Sequence, residues 1–151
     1  MENGGIKMSL QGKKELVVGT GKSGIAATEL LRANNIDTVL FDGNKELDTE
    51  ALYEKVPAIR EVPLILGDMT DAQMDEFDVA VLSPGVPTDI PMVNSLRDKG
   101  IKIWGEIELA YTFGAGEIIA ITGTNGKTTT TALTGEIMKN YFKDVRVVGN
   151  I

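Results

Sequence analysis

The sequence predicts an α/β protein with parallel sheets. Short runs of β-branched and apolar residues alternate with helical patterns along most of the 151 residues, which is typical of strands joined by crossover helices. Two of these runs lead into glycine-containing turns that open a helix, at residues 19–24 and 123–129. The first turn follows the pattern of a Rossmann-like fold and the second that of a phosphate-binding loop. We therefore expect a Rossmann-like parallel sheet domain followed by the first part of a P-loop ATPase-type α/β domain.

The composition excludes several functions and partners. Acidic residues outnumber basic residues by 22 to 15 and the longest basic run is Lys13-Lys14, so nucleic acid is not an expected partner. The chain contains no cysteine and no histidine, which rules out disulfides, thiolate metal sites and imidazole bases within it. No apolar run is long enough to span a membrane and residues 1–10 do not resemble a signal peptide, so we expect a cytoplasmic protein without a membrane partner.

A βαβ unit is predicted after a polar N-terminal arm over residues 1–14, to which we assign no function. Residues 15–20 form a β-branched strand, a helix with an apolar stripe follows to about Ala33, and residues 38–42 form a second strand. The buried stripe of the helix is expected to contain Ile25, Leu30 and Leu31. The turn before this helix, G-T-G-K-S-G, fits the G-x-G-x-x-G pattern, and Asp42 follows its first glycine by 23 residues.

Three interpretations fit this unit. A dinucleotide could place its pyrophosphate at the helix start and a ribose on Asp42. Another nucleotide could use the same crevice, with Asp42 accepting a hydrogen bond from a base N–H or a ribose hydroxyl. The glycines could also serve only to let the helix pack closely on the sheet. The glycine pattern alone does not choose among them.

The rest of the first domain continues the alternation of strands and helices. In chain order we expect a helix over residues 48–55 ended by Pro57, a strand over 63–66, a helical turn over 71–76, a strand over 78–82, a helix over 91–99, a strand over 101–104 and a helix over 106–113. The strand over 78–82 runs into Ser83-Pro84-Gly85-Val86-Pro87, a turn at the edge where parallel sheets bind ligands. Glu106 and Glu108 are interpreted as solvent residues at a helix start, because positions two apart do not share a helix face.

A second domain is predicted over residues 114–151, after a first domain over residues 15–113. An apolar strand over 118–121 leads into Gly123-Thr124-Asn125-Gly126-Lys127-Thr128-Thr129, and a helix follows to about Tyr141. The loop departs from G-x-x-x-x-G-K-[ST], because Ile121 stands where the first glycine would be. Its backbone N–H groups favour phosphate, with Lys127 at the outer phosphates of a nucleoside triphosphate and the Thr128 hydroxyl on the accompanying Mg²⁺. Residues 145–151 are strand-like, and we expect the second domain to be truncated there, as in the N-terminal part of a longer protein.

Both nucleotide patterns resemble one known family. The segment I-T-G-T-N-G-K-T-T-T closely resembles the ATP loop of the Mur ligase superfamily, whose members form amide bonds of the peptidoglycan stem peptide. The segments G-T-G-K-S-G, F-D, L-S-P-G-V-P, G-E-I-E-L and G-N-I resemble its D-glutamate-adding members, from about residue 12 to the last residue. The L-alanine-adding relatives usually have a histidine where Asn125 stands, and the L-lysine- or diaminopimelate-adding relatives have a differently built N-terminal domain.

This resemblance implies a UDP-sugar site in the first domain, with UDP-N-acetylmuramoyl-L-alanine as the substrate. The implied substrate-binding residues are Gly21, Lys22, Ser23, Gly24, Asp42, Gly43, Ser83, Pro84, Gly85, Val86 and Asn150. The glycine turn would hold the UDP moiety, with Asp42 and Gly43 beside the uracil. The turn over residues 83–86 would lie along the pyrophosphate and sugar.

For the second loop the resemblance implies ATP and Mg²⁺ as cofactors. The implied cofactor-binding residues are Gly123, Thr124, Asn125, Gly126, Lys127, Thr128 and Thr129. Lys127 and Thr128 are also implied in catalysis, and Thr128 in metal binding. The implied reaction transfers the γ-phosphate to the L-alanyl carboxylate, and the amine of D-glutamate then attacks the acyl phosphate. Because the D-glutamate domain and further catalytic groups are expected beyond Ile151, the chain alone is expected to be inactive.

Three alternatives stay open at this point. Another Mur-type ligase, such as an L-alanine-adding enzyme, would share the second loop. A non-catalytic nucleotide-binding module would use the same turns without catalytic groups. A NAD(P)-binding oxidoreductase domain would need Asp42 on an adenosine ribose and would leave the second loop unexplained.

Overall fold

The first part of the chain folds around one parallel sheet. The computed structural model describes residues 10–114 and 116–149, and the chain divides after Gly114 into two compact units. The strands of the first unit are β1 Lys14–Val18, β2 Asp37–Asp42, β3 Leu64–Leu66, β4 Val79–Leu82 and β5 Lys102–Gly105. They pair in parallel in the order β3-β2-β1-β4-β5. This sheet confirms the predicted α/β class.

Helices cover both faces of the sheet. Those of the first unit are α1 Lys22–Ala33, α2 Thr49–Lys55, α3 Asp71–Met74, α4 Pro91–Asp98 and α5 Glu106–Phe113, with a short 3-10 helix at Pro57–Ile59. Alternate residues of each strand point to opposite faces, so the sheet supports two cores. One contains Val17 of β1 with Leu31 of α1 and Leu109 of α5. The other contains Leu16 of β1 with Leu96 of α4.

The predicted elements of the first unit are present, with ends shifted by one or two residues. Local signals account for several ends. The Asp48 side chain accepts from the Ala51 N–H at 3.0 Å and caps α2, and Pro91 opens α4. At the start of α5, the Glu108 carboxylate accepts from the Gly105 N–H at 2.9 Å. Glu108 therefore caps its own helix, in agreement with its interpretation as a helix-start residue.

The N-terminal side of β1 differs from the expected loose arm. Leu10 lies within the predicted arm but is buried in the core with Leu31. The strand begins at Lys14, one residue earlier than predicted. The Lys14 N–H donates to the Asp78 carboxylate at 3.0 Å, and the Asp78 N–H donates to the Lys14 carbonyl at 3.0 Å. These reciprocal bonds fix the beginning of β1 beside β4.

Glu15 is a buried acid in the central strand. Its side chain is fully inaccessible to solvent, and within the described part of the chain neither carboxylate oxygen has a hydrogen-bond partner. Burial raises the pKa of Glu15 to about 7, and the negative charge of Asp78 adds to this while Lys13 opposes it. The other buried polar side chains of this part, Thr28 and Thr38, do have partners, at the carbonyls of Gly24 and Ile36.

The second unit contains one helix, α6 Lys127–Met138, among the residues that the structure describes. The segment after it returns along the helix, and Val147 packs against Gly135, where an added Cβ would lie 2.4 Å from the valine. The predicted strands over 118–121 and 145–149 are wrong for the described residues, which show no strand there, and 150–151 lie outside them. A strand needs a hydrogen-bonded neighbour. Ile118 and Val148 instead remain 61% and 79% exposed.

None of the helices that the structure describes is long and apolar enough to cross a membrane.

Candidate functional site

The winding of the first unit reverses between β1 and β4. From β1 the chain builds β2 and β3 on one side and then crosses to place β4 and β5 on the other. The last residues of β1 and β4, Val18 and Leu82, are paired, and the Ser83 N–H donates to the Val18 carbonyl at 3.0 Å. The glycine turn after β1 and the loop after β4 therefore leave the sheet at adjacent points. In open α/β sheets this is the crevice in which ligands bind.

The three glycines of the turn have different structural roles. Gly19 has a φ of +102°, which a residue with a side chain rarely adopts. A Cβ on Gly24 would lie 1.9 Å from the Gly19 carbonyl oxygen and 2.8 Å from the Ser83 Oγ, so α1 starts in direct contact with the turn. A Cβ on Gly21 would meet nothing within 4 Å, so the backbone at Gly21 is open to a ligand.

The start of α1 offers hydrogen-bond donors to an anion. Gly21 is its N-cap and supplies no side-chain cap, and the first turn contains no acidic residue. The Ile25 N–H donates to the Gly21 carbonyl at 3.0 Å, so the N–H groups of residues 22–24 precede the first bond within the helix. These donors and the helix dipole favour a negative charge in front of Gly21. Lys22 is exposed at the same position.

Asp42 holds the glycine turn in place. Its Oδ2 accepts from the Thr20 N–H at 3.0 Å and from the Thr20 hydroxyl at 2.5 Å, and its Oδ1 accepts from the Asn44 N–H at 2.9 Å. Burial alone would raise the pKa of Asp42, but these hydrogen bonds outweigh it and lower the pKa below its ordinary value. The carboxylate is thus charged and half-buried, and Oδ1 keeps acceptor capacity for a ligand.

Thr20 is a site residue that the sequence analysis missed. Its only signal is a hydroxyl residue between the first two glycines of the pattern. Of the other predicted residues, Val86 lies against the turn, since its Cγ2 would be 3.4 Å from a Cβ on Gly19. Pro84, Gly85 and Gly43 are exposed at the same edge of the sheet. The predicted ligand Asn150 lies outside the described residues.

The second loop presents a lysine and an uncapped helix start. Gly123 and Gly126 have φ values of +152° and +74°, and the Thr130 N–H makes the first bond of α6, to the Gly126 carbonyl at 2.9 Å. The N–H groups of residues 127–129 therefore precede the first helical bond. Lys127 Nζ donates to the Gly123 carbonyl at 2.5 Å and reaches the Thr124 carbonyl at 3.4 Å. Its ammonium lies over the loop, and the residues from Gly123 to Thr130 are exposed.

The N–H groups and the ammonium of this loop can bind a phosphate, but its side chains do not form a metal site by themselves. Thr128 lies in the first turn of α6 with its side chain exposed. Across residues 10–114 and 116–149 there is no group of three or more His, Cys, Asp or Glu side chains that could hold a metal. A Mg²⁺ ion at Thr128 would therefore take most of its ligands from phosphate oxygens and water, as Mg²⁺ in nucleotide sites usually does.

Residues 13–105 match the family model of the Mur ligase MurD-like N-terminal domain. The chain belongs to this family. The matched range covers both loops of the first site and stops before the second, and it confirms the resemblance to the Mur ligases that the sequence indicated.

The curated relatives are longer than this chain. It is 54% identical over 144 residues to the UDP-N-acetylmuramoylalanine–D-glutamate ligase of Lachnoclostridium phytofermentans, covering 95% of the chain and 32% of that protein. It is 49% identical to the enzyme of the same name from Lachnospira eligens and 44% identical to that from Caldicellulosiruptor saccharolyticus, with the same coverage. The chain thus spans about a third of the length of these relatives.

A solved structure supports the fold. A pseudomurein peptide ligase type C from Methanothermus fervidus superposes with a TM-score of 0.54 at 22% sequence identity, over 85% of this chain and 26% of that one. At this identity the likeness concerns the fold alone, and it agrees with the α/β class.

Proposed function

We propose that the chain is the sugar-nucleotide-binding domain and the ATP loop of a ligase that adds D-glutamate to UDP-N-acetylmuramoyl-L-alanine in cytoplasmic peptidoglycan synthesis. The observation that carries this proposal is the unobstructed backbone at Gly21, before an uncapped helix at the point where the sheet reverses its winding. The names of the relatives, matched along 95% of the chain, supply the substrate and the reaction.

In the first site, the backbone donors at the start of α1 would bind the diphosphate. The missing side chain of Gly21 allows the phosphates to approach the backbone, and Lys22 and Ser23 flank them. The free acceptor capacity of Asp42 and the exposed backbone at Gly43 suit the N–H and carbonyl groups of uracil. The loop over residues 83–86 would extend along the pyrophosphate and sugar, and Asn150 is proposed as a further ligand.

In the second site, residues 123–129 would hold the phosphates of ATP. Lys127 would exchange its hydrogen bonds to the carbonyls of Gly123 and Thr124 for contacts with the outer phosphates. The Thr128 hydroxyl would ligate Mg²⁺. ATP supplies the phosphoryl group that activates the substrate carboxylate, so that the amine of D-glutamate can form the amide with release of phosphate. Fixed donors stabilise the charge that develops on the transferred group, and Lys127 provides one of them. We propose the complete reaction for a protein of the relatives' length, and we expect the chain by itself to bind without ligating.

Thermal unfolding with separate ligands tests this function. A ligand that binds only the folded state raises the melting temperature, and at one hundred times its Kd it stabilises by about 2.7 kcal/mol. We expect UDP and UDP-N-acetylmuramoyl-L-alanine to stabilise the chain and NADH not to. Mg-ATP is also expected to raise the melting temperature, by binding to the loop over residues 123–129.

Two substitutions separate the two sites. Lys127→Ala is expected to remove the response to Mg-ATP and to preserve the response to UDP, because the lysine lies in the second unit. Asp42→Ala is expected to remove the response to UDP and to preserve the response to Mg-ATP, because the glycine turn loses its hydrogen bonds to the Asp42 carboxylate. Stabilisation by NADH alone, or loss of both responses in each variant, would contradict the proposal.

A further inference from the structure

An asparagine followed by a glycine, Asn125-Gly126, stands in the second loop directly before α6. The side-chain amide of an asparagine can react with the backbone nitrogen of the next residue, and a glycine there presents that nitrogen without a side chain to obstruct it. Both residues are exposed. A Cβ built on Gly126 would meet nothing within 4 Å, so the described part of the chain does not cover the pair on that side. The two reacting groups are therefore accessible to each other and to water.

Neither reacting group is held by a hydrogen bond. Within residues 10–114 and 116–149, the Asn125 side-chain amide and the Gly126 N–H have no hydrogen-bond partner. Asn140 differs, because its side chain donates to two carbonyls of α6 at 3.0 and 3.2 Å, and the N–H of Tyr141 after it donates to the Met138 carbonyl at 2.9 Å. Groups that are bonded in this way must break those bonds before they react, whereas the Asn125-Gly126 pair has none to break.

Positive charge lies next to the pair. The helix α6 begins at Lys127 without a side-chain cap and without an acidic residue in its first turn. The Lys127 ammonium lies 2.5 Å from the Gly123 carbonyl oxygen and 3.4 Å from that of Thr124. The ammonium and the positive end of the helix dipole both favour the negative charge that develops on the Gly126 nitrogen as it loses its proton. The loop thus contains the nucleophile, the group it attacks and the charges that assist the attack.

We propose that Asn125 is a site of spontaneous deamidation. The Gly126 nitrogen forms a bond to the Asn125 Cγ, the bond from Cγ to Nδ2 breaks, and ammonia leaves with the proton of the Gly126 N–H. Water then opens the resulting succinimide ring. Where water breaks the new bond to Cγ the product is aspartate, and where it breaks the original peptide bond the product is isoaspartate, in which the main chain runs through the side chain.

Deamidation changes the loop that is proposed to hold the phosphates of ATP, so its consequence for binding rests on the proposed function. The new carboxylate stands before the uncapped start of α6, where it competes with phosphate for the N–H donors and repels it. Isoaspartate also adds one carbon to the main chain and displaces the N–H groups beside it. The deamidated loop should bind Mg-ATP at least about tenfold more weakly than the original loop.

Incubation of the intact chain in mildly alkaline buffer tests the modification itself. Trypsin releases residues 103–127 as one peptide, in which Asn125 is the single asparagine and glutamine is absent. This peptide should gain the mass difference between an amide and a carboxylic acid and should separate into an aspartate and an isoaspartate form. The peptides that contain Asn94 and Asn140 should stay unmodified over the same time. No mass gain in residues 103–127, or equal gains at all three asparagines, would overturn the inference.

Two variants connect the modification to binding. Asn125→Gln should show no mass gain, because its longer side chain would have to close a larger ring. Asn125→Asp reproduces one product, and it should need at least about tenfold more Mg-ATP for the same rise in melting temperature. Its response to UDP should equal that of the original chain, because UDP is proposed to bind in the first unit. An unchanged response of Asn125→Asp to Mg-ATP would overturn the proposed effect on binding.

Mg-ATP itself should protect Asn125. At one hundred times its Kd it leaves about 1% of the chain unbound, so the mass gain should slow by up to about a hundredfold, while UDP at the same multiple should not slow it. An unchanged rate in a chain that Mg-ATP stabilises would show that the Gly126 nitrogen stays accessible beside the bound phosphates, against the inference. If Mg-ATP does not stabilise the chain at all, the ATP part of the proposed function fails, and the mass gain at Asn125 still decides the modification.

Discussion

Replacing Gly24 by alanine is expected to lower the free energy of unfolding of the first unit by about 3 kcal/mol and to abolish nucleotide binding. The new Cβ would lie 1.9 Å from the Gly19 carbonyl oxygen and 2.9 Å from its carbonyl carbon, and both are backbone atoms that cannot rotate away. The helix α1 must therefore move from β1, which opens the turn and displaces the donors at the helix start. Urea unfolding followed by the fluorescence of Trp104, the one tryptophan of the chain, measures the loss.

Gly21→Ala is the matched control for this substitution. It makes the same change three residues earlier, at a position where a Cβ meets nothing within 4 Å and where φ is −71°. The stability should change by less than about 0.5 kcal/mol. If a phosphate approaches the backbone at Gly21 as proposed, this variant still loses affinity for UDP. Equal destabilisation by the two substitutions would show that close packing is not what requires glycine at position 24.

Glu15 is expected to make the first unit less stable as the pH rises. The pKa of its carboxyl is about 7 in the folded protein and near 4.5 in the unfolded chain, so between these values the folded state binds the proton more tightly. Stability therefore falls as the pH rises from about 4.5 to about 7 and stays reduced above that range. At about 1.4 kcal/mol for each pH unit between the two pKa values, the loss is on the order of 3 kcal/mol.

Glu15→Gln isolates this contribution. The amide has its own cost of burial, but that cost does not depend on pH. The original chain should lose stability between pH 4 and pH 8, and the variant should not. The unfolding free energy of Glu15→Gln minus that of the original chain should therefore increase by on the order of 3 kcal/mol over this range. Glu29→Gln makes the same change at an exposed position of α1 and should show no such trend. A difference that is flat with pH for Glu15→Gln would mean that its carboxyl is not desolvated.

The fold of the first unit could be predicted from sequence because its signals are local. Alternating apolar runs place the strands, and the glycine spacing places the start of α1. The partner of Asp42 could not be predicted, because its contact with Thr20 joins residues 22 apart through the β1–β2 register. The burial of Glu15 could not be predicted either. A single acid in a β-branched run does not show that both faces of its strand will be covered by helices.

The strands predicted in the second unit failed for a different reason. Residues 118–121 have strand-like composition, but β-structure depends on a neighbouring strand and not on propensity alone. The described residues of this unit offer no such neighbour. By contrast, the loop before α6 needs only its own glycines and helix start, so its geometry could be predicted from residues 123–129.

The position of Lys127 has a consequence for the anion binding proposed for the second loop. The ammonium already donates to the carbonyls of Gly123 and Thr124, so an arriving anion exchanges these bonds for new ones and does not add to them. A single weakly charged anion gains little from that exchange. A polyphosphate gains more, because its neighbouring charges engage the helix start while the lysine changes partners. For the ATP loop proposed above, this exchange would favour a polyphosphate over a small anion of low charge.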